Sequence, residues 1–236
     1  LRLPGVETLG VPGVTRAFAI TDSAPVPRRN VVSLERCNDC HQKLSLHGNN
    51  RTDNTELCAT CHNPNATDVN RRVAGSACVA ALGADDAPID LKYMIHALHA
   101  GARANYSVCG FGNEPHDYSA VRYPGKLDNC LGCHRDDTYY PANDPNRLAT
   151  SFDAGPDRRT AADDIAVSPA TTACFGCHSG SLATAHMRQN GGSFEIRKNA
   201  DGSTAVGPIE TCMLCHGPGR IADVRTVHPG LQPAGP

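Results

Sequence analysis

Cys37-Asn-Asp-Cys40-His41 is a Cys-x-x-Cys pair with a histidine directly behind it, and the chain repeats that arrangement four more times. The repeats are Cys58-Cys61-His62, Cys130-Cys133-His134, Cys174-Cys177-His178 and Cys212-Cys215-His216. Random placement of 12 Cys and 11 His over 236 positions would give about 0.03 such motifs, so composition does not explain them. Two thiols three positions apart lie on one turn of chain and can capture both vinyl groups of a porphyrin as thioethers, while the adjacent imidazole ligates the iron. Spacing and residue type both read as c-type haem attachment, giving five covalently bound haem c groups. A zinc ribbon is the nearest alternative, since 17 residues separate Cys40 from Cys58. It leaves the trailing histidines without a role, and five pairs do not divide into four-cysteine sites. A thioredoxin-like dithiol fails on the same histidines.

Composition agrees. Aromatic residues make up 5% of the chain, Trp is absent, and 22 Gly and 17 Pro interrupt it. With so few core-forming side chains, the porphyrins would supply much of the apolar interior, and the apoprotein would be largely unfolded. The fold expected is mostly α and irregular: a multihaem cytochrome c fold of short helices and loops wrapped around five haems, with an N-terminal β-strand segment. The net charge of -2, with no basic run longer than a pair such as Arg28-Arg29, argues against a nucleic-acid partner. No stretch of 18 apolar residues occurs, so no transmembrane segment is expected. The chain opens on Leu1 rather than Met, which reads as a mature or trimmed segment. Thioether attachment then predicts an exported protein at the cell surface or outside the cell, with the periplasm as the lesser alternative.

Two cysteines stand outside the motifs, Cys78 and Cys109. An even leftover pair in an exported protein reads as a disulfide closing a loop of about 30 residues; two separate buried thiols are the alternative. Three segments are expected: 1–30, an N-terminal strand and linker; 31–229, the haem-bearing domain; and 230–236, a flexible tail. Alternation over Val14–Ile20 predicts the strand. Asp90 to Gly101 reads as a helix with Asp90 as N-cap and Gly101 as stop signal. Asp53-Asn-Thr-Glu56 resembles a capping box, Ser181 to Gln189 reads as another short helix, and the polar stretch from Pro141 to Pro169 as a surface loop.

Beyond the motif histidines His41, His62, His134, His178 and His216, six remain: His47, His96, His99, His116, His186 and His228. Five irons need five distal ligands, and a haem with imidazole on both faces has no open position for a small substrate. His96 and His99, at i and i+3, share a helix face and cannot clamp one porphyrin from opposite sides, so as ligands they would serve two different haems. His47 follows His41 by six residues and reaches a neighbouring iron more readily than the far face of its own haem. Of the methionines, Met94 and Met187 read as packing, and Met213 lies between two thioether cysteines.

The run Cys37 to His41 with Leu46-His47-Gly48 and Arg51, then Cys58 to Asp68, resembles a pentahaem domain of the outer-membrane decahaem cytochromes of the MtrC and OmcA type. So do Tyr93 to Gly101, Val121 to Gly125, Ala185-His186-Met187 with Asn190 to Gly192, and Cys212 to Arg220 ahead of Val227-His228. The resemblance runs from about residue 14 to 228. It implies five bis-histidine haems, with His47, His96, His99, His186 and His228 as the distal ligands and His116 as the spare. It also implies that residues 14–22 end a β-barrel domain. Family members usually carry ten haems on two such units, whereas this sequence holds five motifs.

The expected function is extracellular electron transfer, from an outer-membrane electron conduit to metal oxides, soluble electron shuttles, other multihaem cytochromes or copies of the chain itself, with a filament subunit as one arrangement. The expected partners follow from that list. No dedicated catalytic residue is expected and the chain is read as an electron-transfer protein rather than an enzyme. Two alternatives are a periplasmic pentahaem carrier and a multihaem reductase of nitrite or a similar small substrate. The reductase needs an open iron, which pentahaem nitrite reductases mark with lysine in place of the motif histidine; every motif here ends in His. The haem count has a direct check: denaturing intact-mass measurement of the native protein is expected to give the polypeptide plus five covalent haems, and a smaller number would remove a motif from the account.

Overall fold

The structure, a computed structural model, describes residues 9–141, 147–153, 160–204, 207 and 209–231. Its elements, in chain order, are α1 (Leu34–His41), β1 (Ser45–Leu46), β2 (Arg51–Thr52), α2 (Thr55–Cys61), α3 (Ala77–Leu82), α4 (Leu91–Ala100), β3 (Ser107–Cys109) and β4 (Pro115–Asp117). There follow β5 (Thr150–Asp153), β6 (Ile165–Val167), α5 (Pro169–Phe175), α6 (Ser181–Gln189), β7 (Ile196–Arg197), α7 (Met213–His216) and α8 (Val224–Val227), with short 3-10 turns between them. The chain forms two compact units, one of Leu1–Cys61 with Asn129–Tyr140, the other of His62–Asp128 with Pro141–Pro236.

The expectation of a mostly helical and irregular fold is corrected: the protein is mixed, 34% helical and 13% strand, with the strands in small sheets. The sheets among the described residues, β1-β2, β3-β4 and β5-β6-β7, are antiparallel. Each strand has two to four residues, too short to write an alternation into the sequence. The N-terminal strand expected over Val14–Ile20 does not form. Pro12 makes one isolated bridge to Thr52, while Val14, Phe18 and Ile20 are 91%, 78% and 87% exposed. An alternating segment becomes a strand only when a neighbouring ladder accepts its backbone groups. The stretch read as a polar loop between Pro141 and Pro169 carries β5 and β6, in which Thr150, Ser151, Ala166 and Val167 are buried. Of the expected tail, residues 232–236 lie outside the described residues, as do residues 1–8 of the first segment.

In the first unit, α1 runs from an extended Ser33 to Gln42, whose positive φ of 57° ends it. Asn38 on α1 and Asp53 together receive the Leu44 amide, at 2.7 and 3.1 Å, which holds the β1-β2 hairpin against the helix. The capping expectation at Asp53 shifts by one residue. Asn54 caps α2 by accepting from the Leu57 amide at 2.9 Å, and Asp53, at φ 45°, serves the hairpin instead.

In the second unit, α4 forms as expected, with the Asp90 carboxylate accepting from the Lys92 amide and Gly101 at φ 56° as its stop. A Cβ on Gly101 would come within 2.3 Å of the Val121 carbonyl, so no other residue fits. α6 also matches its expected bounds. The core is small: Tyr93, Ala97, Tyr106 and Val108 form its centre, and Phe152 and Phe175 pack on Tyr93 at ring separations of 4.7 and 6.1 Å. Burial pushes the Tyr93 hydroxyl pKa up to about 12.

Polar hubs supplement this core. Asp68, 3% exposed, accepts both Nε and Nη2 of Arg72, the Ala87 amide at 2.8 Å and the Cys109 amide at 2.6 Å. Next to it, Cys78 on α3 and Cys109 on β3 form the expected disulfide, with Cα atoms 5.6 Å apart and 31 residues of separation. Closing a loop of that length restricts the unfolded chain, worth about 4 kcal/mol in the loop-entropy description. Replacing both cysteines by serine in the haem-loaded protein is expected to lower the unfolding free energy by about 3–4 kcal/mol with the haem content unchanged. Denaturant titration followed in the Soret band checks it.

Candidate haem sites

The five motifs share a local geometry. Cys37, Cys40 and His41 occupy the last two turns of α1; Cys58 and Cys61 lie on α2 with His62 just beyond it. Cys130 opens a 3-10 turn at Cys130–Gly132 with Cys133 just beyond it, Cys174 lies in the last turn of α5, and Cys215 and His216 lie on α7. In the last three motifs the histidine amide donates to the carbonyl of the first cysteine, at 2.8 Å each time, closing one helical turn. Residues three and four apart on such a turn face the same way. None of the ten motif cysteines forms a disulfide or is fully buried. Burial pushes the Cys37, Cys58, Cys133, Cys177 and Cys212 thiols up.

Motifs distant in sequence are fastened together within each unit. In the first, the segment ahead of α1 lies along the third motif: Ser33 N donates to Cys133 O at 2.8 Å, Arg135 N to Val31 O at 3.0 Å, and Val32 bridges His134. Arg36 adds bonds from its guanidinium to the carbonyls of Leu131, at 3.0 Å, and His134. In the second, Glu210, two residues ahead of the fifth motif, caps α5, which carries Cys174. Its Oε1 accepts from Ser168 Oγ, Thr171 N and Thr171 Oγ1, and its Oε2 from Ala170 N, all at 2.7–2.8 Å. A carboxylate at a helix N-terminus satisfies amides that the helix cannot.

The histidines meet across these seams. His178 of the fourth motif faces His228, which follows α8 beyond the fifth motif; their ring centres are 6.0 Å apart and the planes cross at 73°. His216 of the fifth motif faces His186, on α6 beyond the fourth, again at 6.0 Å and at 86°. Each motif thus draws its facing imidazole from the segment that follows the other. His228 is held by α8, whose N-cap Asp223 accepts from Arg225 N at 2.8 Å and Gly219 N at 2.6 Å.

Several rings are also fixed by Nδ1 contacts to backbone carbonyls: His62 to Ile89 at 2.8 Å, His99 to Ile95 at 2.8 Å, His216 to Ala222 at 2.9 Å and His228 to Val224 at 2.9 Å. A carbonyl only accepts, so Nδ1 carries the proton and Nε2 keeps its lone pair, the tautomer that ligates a metal. Burial holds the His96 imidazole below its ordinary pKa, and burial with the nearby His228, Arg103 and His216 does the same for His178. Both shifts disfavour the protonated ring.

The remaining expected site residues are placed as follows. His47 is exposed in the β1-β2 turn at φ 53°, and His96 and His99 share a face of α4. His134 packs edge-on against Tyr139, His41 ends α1, and His116, the spare, lies on β4 opposite Val108. Sequence reasoning missed Gly176, inside the fourth motif: a Cβ there would come within 2.7 Å of His96 Cβ, so the glycine lets α4 approach the motif closely. It missed Arg36 and Glu210 too, which carry no motif signal. Among the described residues no group of three or more His, Cys, Asp or Glu converges as a metal cluster; the facing is by pairs.

A family model described as outer membrane cytochrome MtrC/MtrF-like, domains II/IV, matches residues 29–229. The chain belongs to this cytochrome family. It is 30% identical over 138 residues, half of this chain and 20% of the relative, to the multiheme cytochrome MtrC of Shewanella baltica. Among solved structures it is similar to the outer membrane decaheme cytochrome OmcA, with 26% identity, a TM-score of 0.41 and cover of 83% of this chain and 22% of that one. The chain spans about a fifth of the length of these relatives. No helix among the described residues is long and apolar enough to cross a membrane.

The residues present fit c-type haem, the cofactor class of this family. Two metal–nitrogen bonds of about 2 Å, plus about 1.1 Å from each nitrogen to its ring centre, separate two imidazole centres by about 6.2 Å across one iron. Both observed pairs stand at that separation. Around the fifth motif, Ile209, Leu214 and Ile221 are 86%, 70% and 93% exposed, an apolar surface of the kind a porphyrin face covers.

Proposed function

We propose that this chain is an electron-conducting module of extracellular electron transfer, holding five c-type haems, each between two histidines. The observation that carries the reading is the reciprocal pairing of His178 with His228 and of His216 with His186 at 6.0 Å. On this reading Cys37, Cys40, Cys58, Cys61, Cys130, Cys133, Cys174, Cys177, Cys212 and Cys215 form the thioethers. His41, His62, His134, His178 and His216 are the proximal ligands, and His47, His96 and His99 complete the distal set with His186 and His228. Bound there, haem supplies a one-electron ferric–ferrous couple.

The protein's part is to position and to exclude. The two cysteines of each motif would hold a porphyrin to one turn of chain through thioethers. With haem bound, the paired histidines, such as His178 with His228 and His216 with His186, would hold the iron and leave no room for water, nitrite or dioxygen. The Nδ1 contacts to Ile89, Ile95, Ala222 and Val224 carbonyls hold the rings in register, so a change of oxidation state requires little movement of ligands. A site built this way passes electrons and does no bond chemistry of its own.

Membership of an outer-membrane cytochrome family supports a position at the cell surface, receiving electrons from an outer-membrane conduit and giving them to metal oxides, soluble shuttles or further multihaem cytochromes. The division into segments 1–30, 31–229 and 230–236 belongs to the same reading, with 31–229 as the pentahaem domain. The reductase reading needs a haem lacking its second histidine. The test is stoichiometric: chain reduced by dithionite and mixed with a soluble ferric chelate is expected to deliver five electrons per polypeptide and to show no enzyme-like turnover of nitrite. Fewer electrons, or steady nitrite turnover with a reduced-dye donor, would contradict it.

A further inference from the structure

Arg36 stands directly before Cys37 on α1, yet its side chain leaves its own motif. Its Nη1 donates to the carbonyls of Leu131 and of His134, both in the third motif, 95 and 98 residues away. The side chain is half-buried, and among the described residues no carboxylate forms an ion pair with it. The acidic residues on the same helix, Glu35 and Asp39, are exposed and so screened by water and salt. A guanidinium stays protonated under all physiological conditions. The result is a permanent positive charge tethered to the motif histidine's own carbonyl instead of moving freely in solvent.

We propose that Arg36 is a positioning and potential-setting residue, its fixed charge favouring the ferrous state of the haem held by Cys130, Cys133 and His134. This rests on the five-haem reading above. The step is a one-electron gain by ferric iron from a neighbouring haem or a soluble donor; no proton moves and no bond forms or breaks. Reduction removes one positive charge from the centre, so a nearby cation stabilises the reduced form. A unit charge about 10 Å from a one-electron centre, at an effective dielectric of about 20, biases the couple roughly tenfold. Because the arginine belongs to the first motif by sequence, it also fastens the first motif to the third, and one residue then sets both the seam and its electrical bias.

The test is a spectroelectrochemical titration of the complete haem-loaded chain as wild type, Arg36→Gln and Arg36→Lys. With glutamine, at least one of the five midpoint potentials is expected to fall by about tenfold in the couple's equilibrium, or 59 mV for one electron. With lysine, which keeps the charge, all five are expected to stay near wild type. Equal shifts in both variants, or no shift in glutamine, would overturn the inference. If glutamine loses a haem, lysine alone decides: unchanged midpoints support the charge, a fall overturns it. Low-spin spectra and the haem count of the wild type are recorded first, so a failure of the five-haem reading is seen separately.

Discussion

Two pairs of imidazole rings, each with centres 6.0 Å apart, join the fourth and fifth motifs each to the segment that follows the other. The constraint is reciprocal. His178 must reach His228, past the fifth motif, while His216 must reach back to His186, past the fourth, so the segments 174–190 and 212–228 cannot be positioned independently. Much of the local architecture serves this arrangement: Glu210 joins the start of the fifth motif to α5, Asp223 caps the turn that presents His228, and the glycine at 176 lets α4 close on the fourth motif.

With a thin apolar core, stability rests on groups that satisfy backbone polarity at several places at once. Asp68 receives two amides and an arginine beside the Cys78–Cys109 disulfide, Glu210 receives two amides and two hydroxyls, and Arg36 fills two carbonyls. A buried charge that is fully hydrogen-bonded defines one arrangement of its neighbours, since removing any partner exposes the desolvation cost of the rest. The apolar side chains left uncovered near the motifs, such as Leu214 and Ile221, are the surface that the bound cofactor would complete.

The family of this chain was legible in its sequence because the Cys-x-x-Cys-His pattern is written in adjacent residues. Cysteine spacing and the trailing histidine are local requirements, and helix α4, with Asp90 and Gly101 at its ends, follows equally local rules. The disulfide was legible by subtraction. The sheets were not: β1 and β2 have two residues each, and β5 and β6 lie in a polar stretch where pairing between segments, not alternation, makes the strand. The segment 14–20 taught the converse, since it has the alternation and no ladder to join. Arg36 and Glu210 were invisible because their partners lie 39 to 98 residues away, a distance that no local pattern records.

The central claim is that imidazole occupies both faces of every iron. Near-infrared magnetic circular dichroism of the fully oxidised native protein, with electron paramagnetic resonance on the same sample, reads axial ligation directly. The account predicts five low-spin ferric haems with bis-histidine charge-transfer bands and no high-spin signal. A high-spin population of one haem per chain, or a band of histidine–methionine or histidine–water ligation, would contradict it.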